Sequence, residues 1–455
     1  MKLWNEIKNE MMEHPKQKIC EGNAYMTYEE VVIYSEIFAN KLKSERCCAI
    51  LCVSEMMSAV ALLSCFAAEV TAVPLSVRYG GKHCRRILKK IGVTAIITDV
   101  CGELEVVDAD APFYEEPNDH PALIMCTSGT TGEPKGAMLS ETNILTNVWD
   151  ICSYMKTDFN DKILISRPLY HCAVLTGEFL CSLLKGAEVR FYSNDFNPAA
   201  ILDIIEKYGI TVFCGTPTIL GALAAFVRRK SSLPIKSVVI SGECLNSCTA
   251  DKISKVFFDA NIYHVYGLTE ACPRVSYLPP HLFSKYPTCV GVPLRSVQIK
   301  VVKNDGTLAD AGESGILWVR GENIMMGYYK DEELTDKALK EGWLCTGDIA
   351  VVNEEGLLEI KGRSDDLIIR AGMNIYPTEI ESVLRTDKRV RDVLIYGIKD
   401  ELYGERIGLK ISGDFQSVSE VQTLCIRLLP NYQCPSKIDI LEELPKSASG
   451  KIIRR

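Results

Sequence analysis

The sequence predicts an α/β protein: a large N-terminal domain of mixed, largely parallel sheets with helices and a small β-rich subdomain, followed by a small α+β C-terminal domain. Strand-like and helix-like runs alternate through most of the chain, which is typical of helices packed on parallel sheets. From residue 290 onward, short strands and turns replace this alternation. A short polar segment at 362–366, flanked by apolar strands, then precedes a remainder of small-domain size.

The individual elements follow from apolar runs and helical periodicity. Strands are predicted at 48–53, 95–98, 122–125, 189–192, 212–214, 238–240, 262–265, 297–302, 315–319, 393–396 and 408–411. Helices are predicted at 59–68, 198–208, 377–385 and 419–429. We therefore expect a large N-terminal domain over 1–361 with its β-rich subdomain at 290–361, a hinge at 362–366 and a small C-terminal domain over 367–455.

Composition narrows the class of protein. The 455 residues carry a net charge of −8 without a basic block, which argues against nucleic acid as a partner. The first residues have no signal-peptide core, and the longest apolar stretch, 59–77, is interrupted by Glu69 and Pro74, so no membrane span is expected. The nineteen cysteines are scattered without C-x-x-C pairs, which favours reduced thiols and a cytoplasmic location.

The most informative stretch is 127–136, T-S-G-T-T-G-E-P-K-G, directly after a predicted buried strand. Glycines let the backbone approach a ligand closely, while hydroxyls, N–H groups and a lysine bind phosphate oxygens. The spacing matches neither the P-loop nor the G-x-G-x-x-G pattern. The candidate phosphate-binding residues are Thr127, Ser128, Gly129, Thr130, Thr131, Gly132 and Lys135.

Four further segments could belong to the same site. In 266–270, Y-G-L-T-E, Tyr266 offers a flat face for a purine, Gly267 permits close approach, Thr269 can donate to phosphate and Glu270 can hold Mg²⁺. Asp348, predicted to follow a strand, could accept from ribose hydroxyls with Arg363 donating to the same sugar, or could be an ordinary turn residue. Near the C-terminus, Lys451 could reach into a cleft or could be a solvated surface charge.

Together these segments resemble the adenylate-forming superfamily, which comprises acyl- and aryl-CoA synthetases, adenylation domains and luciferases. The resemblance covers essentially the whole chain. Its joint motifs are T-S-G-T-T-G-E-P-K-G, Y-G-L-T-E, T-G-D, G-R-S-D-D and a final S-G-K, in the family's order.

The resemblance implies that a carboxylic acid and Mg·ATP give an acyl-adenylate and pyrophosphate, and that the acyl group then passes to a thiol. Lys135 and its loop would hold the β- and γ-phosphates, Thr269 the α-phosphate and Glu270 the Mg²⁺. Tyr266 would stack on adenine beside Gly242 and Glu243, while Asp348 and Arg363 would hold the ribose. Lys451 would stabilise the adenylation transition state.

In this family the small C-terminal domain rotates between the two half-reactions. The resemblance places Asp365 at the hinge. It also implies that Lys451 is in the site during adenylation, and that Gly372 lines the thiol tunnel during thioester formation.

The motifs say less about which carboxylic acid is the substrate. His171, in P-L-Y-H, matches a family segment that borders the acyl pocket, which would also include Gly215 and Ala271. Since no Asp lies between residues 163 and 188 to pair an α-amine, we expect an acid without one. Arg274 could pair with a second carboxylate, although a structural role is favoured. Coenzyme A is the expected thiol acceptor, and the phosphopantetheine thiol of a separate carrier protein is the alternative. A homodimer is also possible.

Overall fold

Some helices begin at a capping side chain and end at a residue with a left-handed backbone. The computed structural model describes residues 2–109, 114–117, 119–128, 134–227, 233–370, 373–400, 403–445, 452 and 454, with backbone alone at 127 and 128. Helix 198–208 is an example: the Asn197 side chain accepts from the N–H groups of Ala199 and Ala200, and Gly209 at φ 63° ends the helix.

The described residues form the following strands: β1 Lys18–Glu21, β2 Ala24–Thr27, β3 Cys47–Ile50, β4 Thr71–Pro74, β5 Ala95–Val100, β6 Glu103–Asp108, β7 Leu123–Ser128, β8 Pro134–Leu139, β9 Lys162–Ile165, β10 Glu188–Phe191, β11 Val212–Gly215, β12 Ser237–Ile240, β13 Asn261–Gly267, β14 Arg274–Leu278, β15 Val292–Pro293, β16 Val297–Val302, β17 Ser314–Gly321, β18 Gly327–Tyr328, β19 Leu339–Lys340, β20 Trp343–Val352, β21 Leu358–Arg363, β22 Ile368–Arg370, β23 Met373–Ile375, β24 Val390–Asp400, β25 Gly404–Gly413 and β26 Lys437–Ile440.

They also form these α-helices: α1 Lys2–Glu13, α2 Tyr28–Ala39, α3 Glu55–Ala68, α4 Gly81–Ile91, α5 Glu141–Tyr154, α6 Cys172–Val174, α7 Cys181–Leu183, α8 Pro198–Tyr208, α9 Pro217–Phe226, α10 Ser247–Val256, α11 Glu332–Ala338, α12 Pro377–Leu384 and α13 Val418–Leu428. A π-helical segment, Leu175–Leu180, joins α6 to α7.

The chain divides into two compact units. The first comprises Met1–Glu243, Asp251–Ile299 and Trp318–Cys345, and the second Cys244–Ala250, Lys300–Leu317 and Thr346–Arg455. The predicted boundaries at 361 and 367 and the hinge at 362–366 stay predictions. Within 362–366, the first two residues belong to β21, and residues 364–366 form one 3-10 turn.

Two sheets form the framework of the first unit. One has the order β15-β14-β13-β12-β11-β9-β10-β1-β2, and its central neighbours β13, β12, β11, β9 and β10 run parallel. The other has the order β18-β8-β7-β4-β3-β5-β6. Its core includes Ala49, Val73, Ile124 and the stacked rings of Tyr114 and Tyr329.

The second unit contains an antiparallel sheet of order β23-β22-β25-β24, to which β26 adds in parallel on β25. Helices α12 and α13 contribute Ile380, Leu384, Val421 and Leu424 to its apolar core. In the same unit β20 pairs antiparallel with β21, with Asp348 opposite Arg363.

The predicted fold class is confirmed, including the β-rich texture of 290–361, where seven strands accompany the single helix α11. Three details of the sequence analysis are wrong. The strand predicted at 48–53 is β3, which ends at Ile50. Helix α3 begins at Glu55 rather than at 59, because the Ser54 side chain caps it. Asp348 does not follow a strand: β20 continues to Val352, since Gly347 takes a φ of 70° inside the strand instead of ending it.

We expect Arg454→Ala to loosen the second unit. Arg454 donates to the buried Glu381 carboxylate at 2.7 Å, and the same carboxylate accepts from the Ile395 N–H at 2.9 Å. Without Arg454 the buried carboxylate keeps Arg385, whose Nη1 lies farther away at 3.8 Å, and we expect the loss to cost about 2 kcal/mol. Amide exchange in α12 should therefore be about 30-fold faster.

The matched control is Arg427→Ala, because the Arg427 side chain is 61% exposed and its Nη2 pairs with Asp387 at 3.0 Å. An exposed pair contributes about 1 kcal/mol or less. Equal acceleration of α12 exchange in both variants would contradict the importance of the Arg454–Glu381 pair.

A pH-dependent prediction concerns His264, which is buried on β13. Burial lowers the pKa of His264 to about 4, against the opposing effect of its hydrogen bond to the Pro287 carbonyl. The neutral ring is therefore favoured in the fold, while the unfolded chain takes up a proton below about pH 6.5. Stability present above pH 6.5 is lost as the pH falls toward 4.

We expect this histidine to account for about 2 kcal/mol of the stability lost between pH 7 and pH 5. Urea unfolding of the wild type and of His264→Asn at pH 7 and pH 5 measures this contribution. Between the two pH values, the free energy of unfolding of the variant should fall by about 2 kcal/mol less than that of the wild type. An identical pH dependence in both proteins would contradict the buried neutral histidine.

Candidate active site

The carboxyl ends of four parallel strands bring most of the first unit's candidate residues to one sheet edge. Strands β9, β11, β12 and β13 are neighbours in register, and ligands in open α/β sheets bind at this edge. The segments that follow these strands carry His171 after β9, Gly215 at the end of β11, Gly242 and Glu243 after β12, and 266–270 at the end of β13.

Hydrogen bonds connect these segments. The Ser241 N–H donates to the Gly215 carbonyl at 3.0 Å. The Glu243 carboxylate accepts from the hydroxyl of Thr218 at 2.7 Å and from its N–H at 3.3 Å. Gly242 has a φ of 91°, which favours glycine and lets the chain turn directly after β12. The predicted adenine-side residues are thus fixed to the first turn of α9.

The 266–274 turn is held tightly at the backbone. A Cβ at Gly267 would lie 1.9 Å from the Pro273 carbonyl oxygen, so only glycine fits there. The Leu268 N–H donates to the same carbonyl at 2.8 Å, and a 3-10 turn covers Thr269–Ala271. Ala271 is fully buried, and its carbonyl accepts from Asn323 at 2.7 Å.

Glu270 has a partner that the sequence analysis missed. The Tyr328 hydroxyl donates to Glu270 Oε1 at 2.7 Å, and the Met325 N–H donates to the Glu270 carbonyl at 2.9 Å. The ring of the same tyrosine lies under Lys135, whose Nζ is 5.7 Å from the ring centroid. A carboxylate and a lysine that are 135 residues apart in sequence therefore share one aromatic side chain.

Strand pairing explains this arrangement. β18 pairs antiparallel with β8, with Tyr328 opposite Ala137, and the Tyr329 N–H donates to the Gly136 carbonyl at 2.8 Å. Lys135 is two residues before Ala137 on β8 and belongs to the predicted phosphate loop. The loop residues Gly129, Thr130, Thr131 and Gly132 lie outside the described residues, as do the side chains of Thr127 and Ser128.

A second unpredicted feature is an ion pair beside the predicted acyl segment. Arg167 bonds to Glu178 of the π-helical segment and also donates to Ser241 Oγ at 3.3 Å. Burial raises the pKa of Glu178, and the charges of Arg167 and Arg274 oppose that rise. The carboxylate nearest to His171 in sequence thus bonds to arginine through Oε1, while its Oε2 is buried without a hydrogen-bond partner among the described residues.

Arg274 is structural in its described contacts. Its side chain is buried, and Nη1 donates to the Tyr154 hydroxyl at 2.6 Å. Its backbone N–H donates to Asn147 Oδ1 at 3.1 Å, and its carbonyl accepts from Asn147 Nδ2 at 2.7 Å. Asn147 had no motif around it, so only the packing of α5 on β14 reveals it.

The second unit holds the other predicted pair. Arg363 Nη1 donates to Asp348 Oδ1 at 3.1 Å and to the Thr346 carbonyl at 2.9 Å. A Cβ at Gly347 would lie 3.0 Å from Arg363 Nη2, so the glycine gives the guanidinium room. Asp365 lies in the 3-10 turn Ser364–Asp366. Gly372 and Lys451 lie outside the described residues.

The described residues were also compared with the requirements of metal sites, disulfides and membrane spans. No group of three or more His, Cys, Asp or Glu side chains among the described residues is arranged to hold a metal ion. All nineteen cysteines are described, and each is a thiol. Within the described ranges no helix has both the length and the apolarity that crossing a membrane requires.

Comparison with known proteins agrees with this geometry. The family profile described as AMP-binding enzyme matches residues 8–329, and the AMP-binding enzyme C-terminal domain matches residues 379–451. A feruloyl-CoA synthase of Amycolatopsis sp is 30% identical over 423 residues, 86% of this chain and 84% of that protein. A long-chain-fatty-acid–CoA ligase of Haemophilus influenzae is 32% identical over 343 residues. The match covers 73% of this chain and 61% of the ligase, so the chain spans about three fifths of that relative.

Solved structures give the same picture. The o-succinylbenzoate CoA synthetase from Bacillus subtilis, in complex with the acyl-adenylate intermediate, has a TM-score of 0.88 and 26% identity, with 99% of this chain and 97% of that chain covered. The same enzyme in complex with ATP and magnesium ion has a TM-score of 0.87 and 26% identity, with 99% and 98% covered.

Proposed function

The chain belongs to the family of AMP-binding enzymes, and we propose that it activates a carboxylic acid with ATP and transfers it to a thiol. The first half-reaction forms an acyl-adenylate and releases pyrophosphate. The second forms a thioester, with coenzyme A as the acceptor. The relatives named as CoA ligases and synthases support this proposal.

The observation that carries the proposal is the grouping of Lys135, Tyr328 and Glu270. A lysine can bind phosphate oxygens, and a carboxylate oriented by a tyrosine hydroxyl can hold the cation that accompanies them. Phosphoryl-type transfer needs such charges fixed in advance, since the attack brings two anions together.

Glu270 fits a magnesium site of the kind found with nucleotides. Mg²⁺ prefers oxygen ligands and usually takes one or two carboxylates together with phosphate oxygens and waters. Glu270 would supply the carboxylate of that donor set, with its Oε1 oriented by the Tyr328 hydroxyl. When bound, the ion would neutralise phosphate charge.

The remaining ATP contacts are assigned by motif position. We assign the 127–136 loop, with Thr127, Ser128, Gly129, Thr130, Thr131, Gly132 and Lys135, to the β- and γ-phosphates. Thr269 takes the α-phosphate, and Tyr266 and Gly267 with Gly242 and Glu243 take the adenine side. Asp348 and Arg363 would take the ribose, and the 3.1 Å hydrogen bond between them supports this because it orients a carboxylate and a guanidinium together.

Lys451 completes the adenylation chemistry in this proposal. The substrate carboxylate attacks the α-phosphorus, the bond to the pyrophosphate oxygen breaks, and Lys451 neutralises the charge that develops on the oxygens. For the second half-reaction, rotation about Asp365 would remove Lys451 and bring Gly372 to the thiol path.

The acid site is assigned to the edge of the parallel strands. His171, Gly215 and Ala271 would line it, and the buried Arg167–Glu178 pair lies next to it in sequence. The ion pair that Glu178 forms with Arg167 through Oε1 supports an acid without an α-amine, because a substrate amine would have to compete with the guanidinium for the same carboxylate. The relatives support a fatty or aromatic acid as the substrate class.

ATP–pyrophosphate exchange with a panel of acids tests the function. The panel is ferulate, a long-chain fatty acid and o-succinylbenzoate, with an α-amino acid as the negative control. The acyl-adenylates that form are then offered coenzyme A or a holo carrier protein, and the thioester products are measured. We expect exchange with a non-amino acid and transfer to coenzyme A. Exchange with none of the acids would contradict the ligase assignment. Transfer to the carrier protein alone would mean that the acceptor is a carrier protein and not coenzyme A.

We also expect Lys451→Ala to separate the half-reactions. Adenylation should slow by about 100-fold or more, as for other charge-stabilising donors, because the variant loses its positive charge in that step. Thioester formation from supplied acyl-adenylate and coenzyme A should stay near the wild-type rate. Equal loss of both rates would contradict the role given to Lys451.

A further inference from the structure

Glu55 is a carboxyl group that the proposed chemistry leaves unexplained. It is the first residue of α3, where Ser54 caps the helix, and it is partly buried. Its Oε2 accepts from the Leu169 N–H at 3.0 Å, across 114 residues of sequence. Leu169 lies in the 168–171 segment that ends at His171, so a side chain of one helix fixes the backbone of the predicted acyl segment.

The surroundings of Glu55 carry both signs of charge. Glu21 from β1 lies close to it, because Glu21 accepts from the N–H groups of Glu55 and Met56 at 3.2 and 3.1 Å. Arg78, after β4, is the cation that faces Glu55, but it also pairs with Asp195 at 2.9 Å. Burial, and then the Glu21 charge, raise the pKa of Glu55 to about 7; the bond from Leu169 and the charge of Arg78 oppose that rise.

Two neutral groups complete this environment. Cys52, on the segment before α3, and Tyr170, on the acyl segment, both face Glu55. Burial raises the pKa of the Cys52 thiol to about 12 and raises that of the Tyr170 hydroxyl. Both groups therefore keep their protons between pH 6 and 8.

The contact with Leu169 extends to His171 through packed rings. The Tyr170 ring lies 4.2 Å from the His171 ring and 5.6 Å from the Tyr79 ring, measured between centroids. The His171 carbonyl in turn accepts from the Val174 and Leu175 N–H groups at 2.9 Å, where α6 begins. A shift at Leu169 would therefore reach both His171 and the start of α6.

We propose that Glu55 is a positioning residue of the acid site: its ionised carboxylate holds the Leu169 N–H and thereby keeps the 168–171 segment, with His171, in place for binding the carboxylic acid. The proposal rests on the proposed function, which assigns that segment to the acid. A carboxylate accepts a stronger hydrogen bond than its protonated form, so protonation of Glu55 loosens the segment.

The first test needs no substrate. In ¹⁵N-leucine-labelled protein, the Leu169 amide signal is assigned by its absence in Leu169→Met. In the wild type we expect this signal to titrate with a midpoint near pH 7. It should not titrate in Glu55→Gln, where the amide oxygen still accepts but carries no proton equilibrium. An amide that does not titrate in the wild type, or that titrates equally in Glu55→Gln, overturns the proposal.

The second test separates binding from chemistry. Pyrophosphate exchange is measured from pH 6 to 8 with whichever acid of the panel is activated. The KM for the acid in the wild type should rise about 3- to 10-fold from pH 8 to pH 6, as expected for weakening one charge-assisted hydrogen bond. Glu55→Gln should have a KM that does not vary with pH over that range, with kcat and the KM for ATP close to the wild type.

The matched control is Glu29→Gln, an exposed glutamate in the first turn of α2, which should behave as the wild type in both tests. A titrating amide with a pH-independent KM would overturn the role in acid binding. If no acid is activated by the wild type, the proposed function fails, whereas the amide titration still decides whether Glu55 holds Leu169.

Discussion

The antiparallel pairing of β8 with β18 is the constraint on which the candidate site depends. It sets Tyr328 beside the strand that carries Lys135, and the hydroxyl of the same tyrosine reaches Glu270 at 2.7 Å. Lys135 lies on β8 in one sheet, whereas Glu270 follows β13 in the other. In the described structure Tyr328 contacts both Lys135 and Glu270. It therefore holds the two charges proposed to bind Mg·ATP in position relative to each other.

The parallel sheet also brings several candidate segments together. The carboxyl ends of β9, β11, β12 and β13 lie side by side, so the segments after them gather at one edge without any local motif to join them. Hydrogen bonds between those segments, such as Thr218 to Glu243 and Arg167 to Ser241, then fix their relative positions. The same logic applies to Glu55, which reaches the acyl segment from α3.

Much of this could be predicted from sequence, because the signals were local. The alternation of strands and helices gave the fold class, and α8 was predicted with the bounds it has. Tyr266, Gly267 and Glu270 are recognisable because a short motif concentrates them, and the structure adds a backbone reason for the glycine, since a Cβ at Gly267 would clash with the Pro273 carbonyl. The roles proposed for these residues stay predictions.

The partners of those residues were not predictable in the same way. Tyr328, Asn147 and Glu55 act through hydrogen bonds to residues 58, 127 and 114 positions away. Such contacts depend on which strands and helices pack together, and a single sequence contains no signal for that. Asp348 was misplaced for a different reason: Gly347 suggests a turn, whereas here it gives the Arg363 guanidinium space inside a continuing strand.

The Mg²⁺ dependence of pyrophosphate exchange in Tyr328→Phe tests the central constraint most directly. The variant keeps the ring under Lys135 but removes the hydroxyl that orients Glu270, so the Mg²⁺ concentration for half-maximal exchange should rise about 10-fold. The rate at saturating Mg²⁺ should change little. Tyr329→Phe, which loses a hydroxyl bound to the Glu115 carbonyl at 3.0 Å, is the matched control and should behave as the wild type. A wild-type Mg²⁺ dependence in Tyr328→Phe, or the same shift in Tyr329→Phe, would contradict the account.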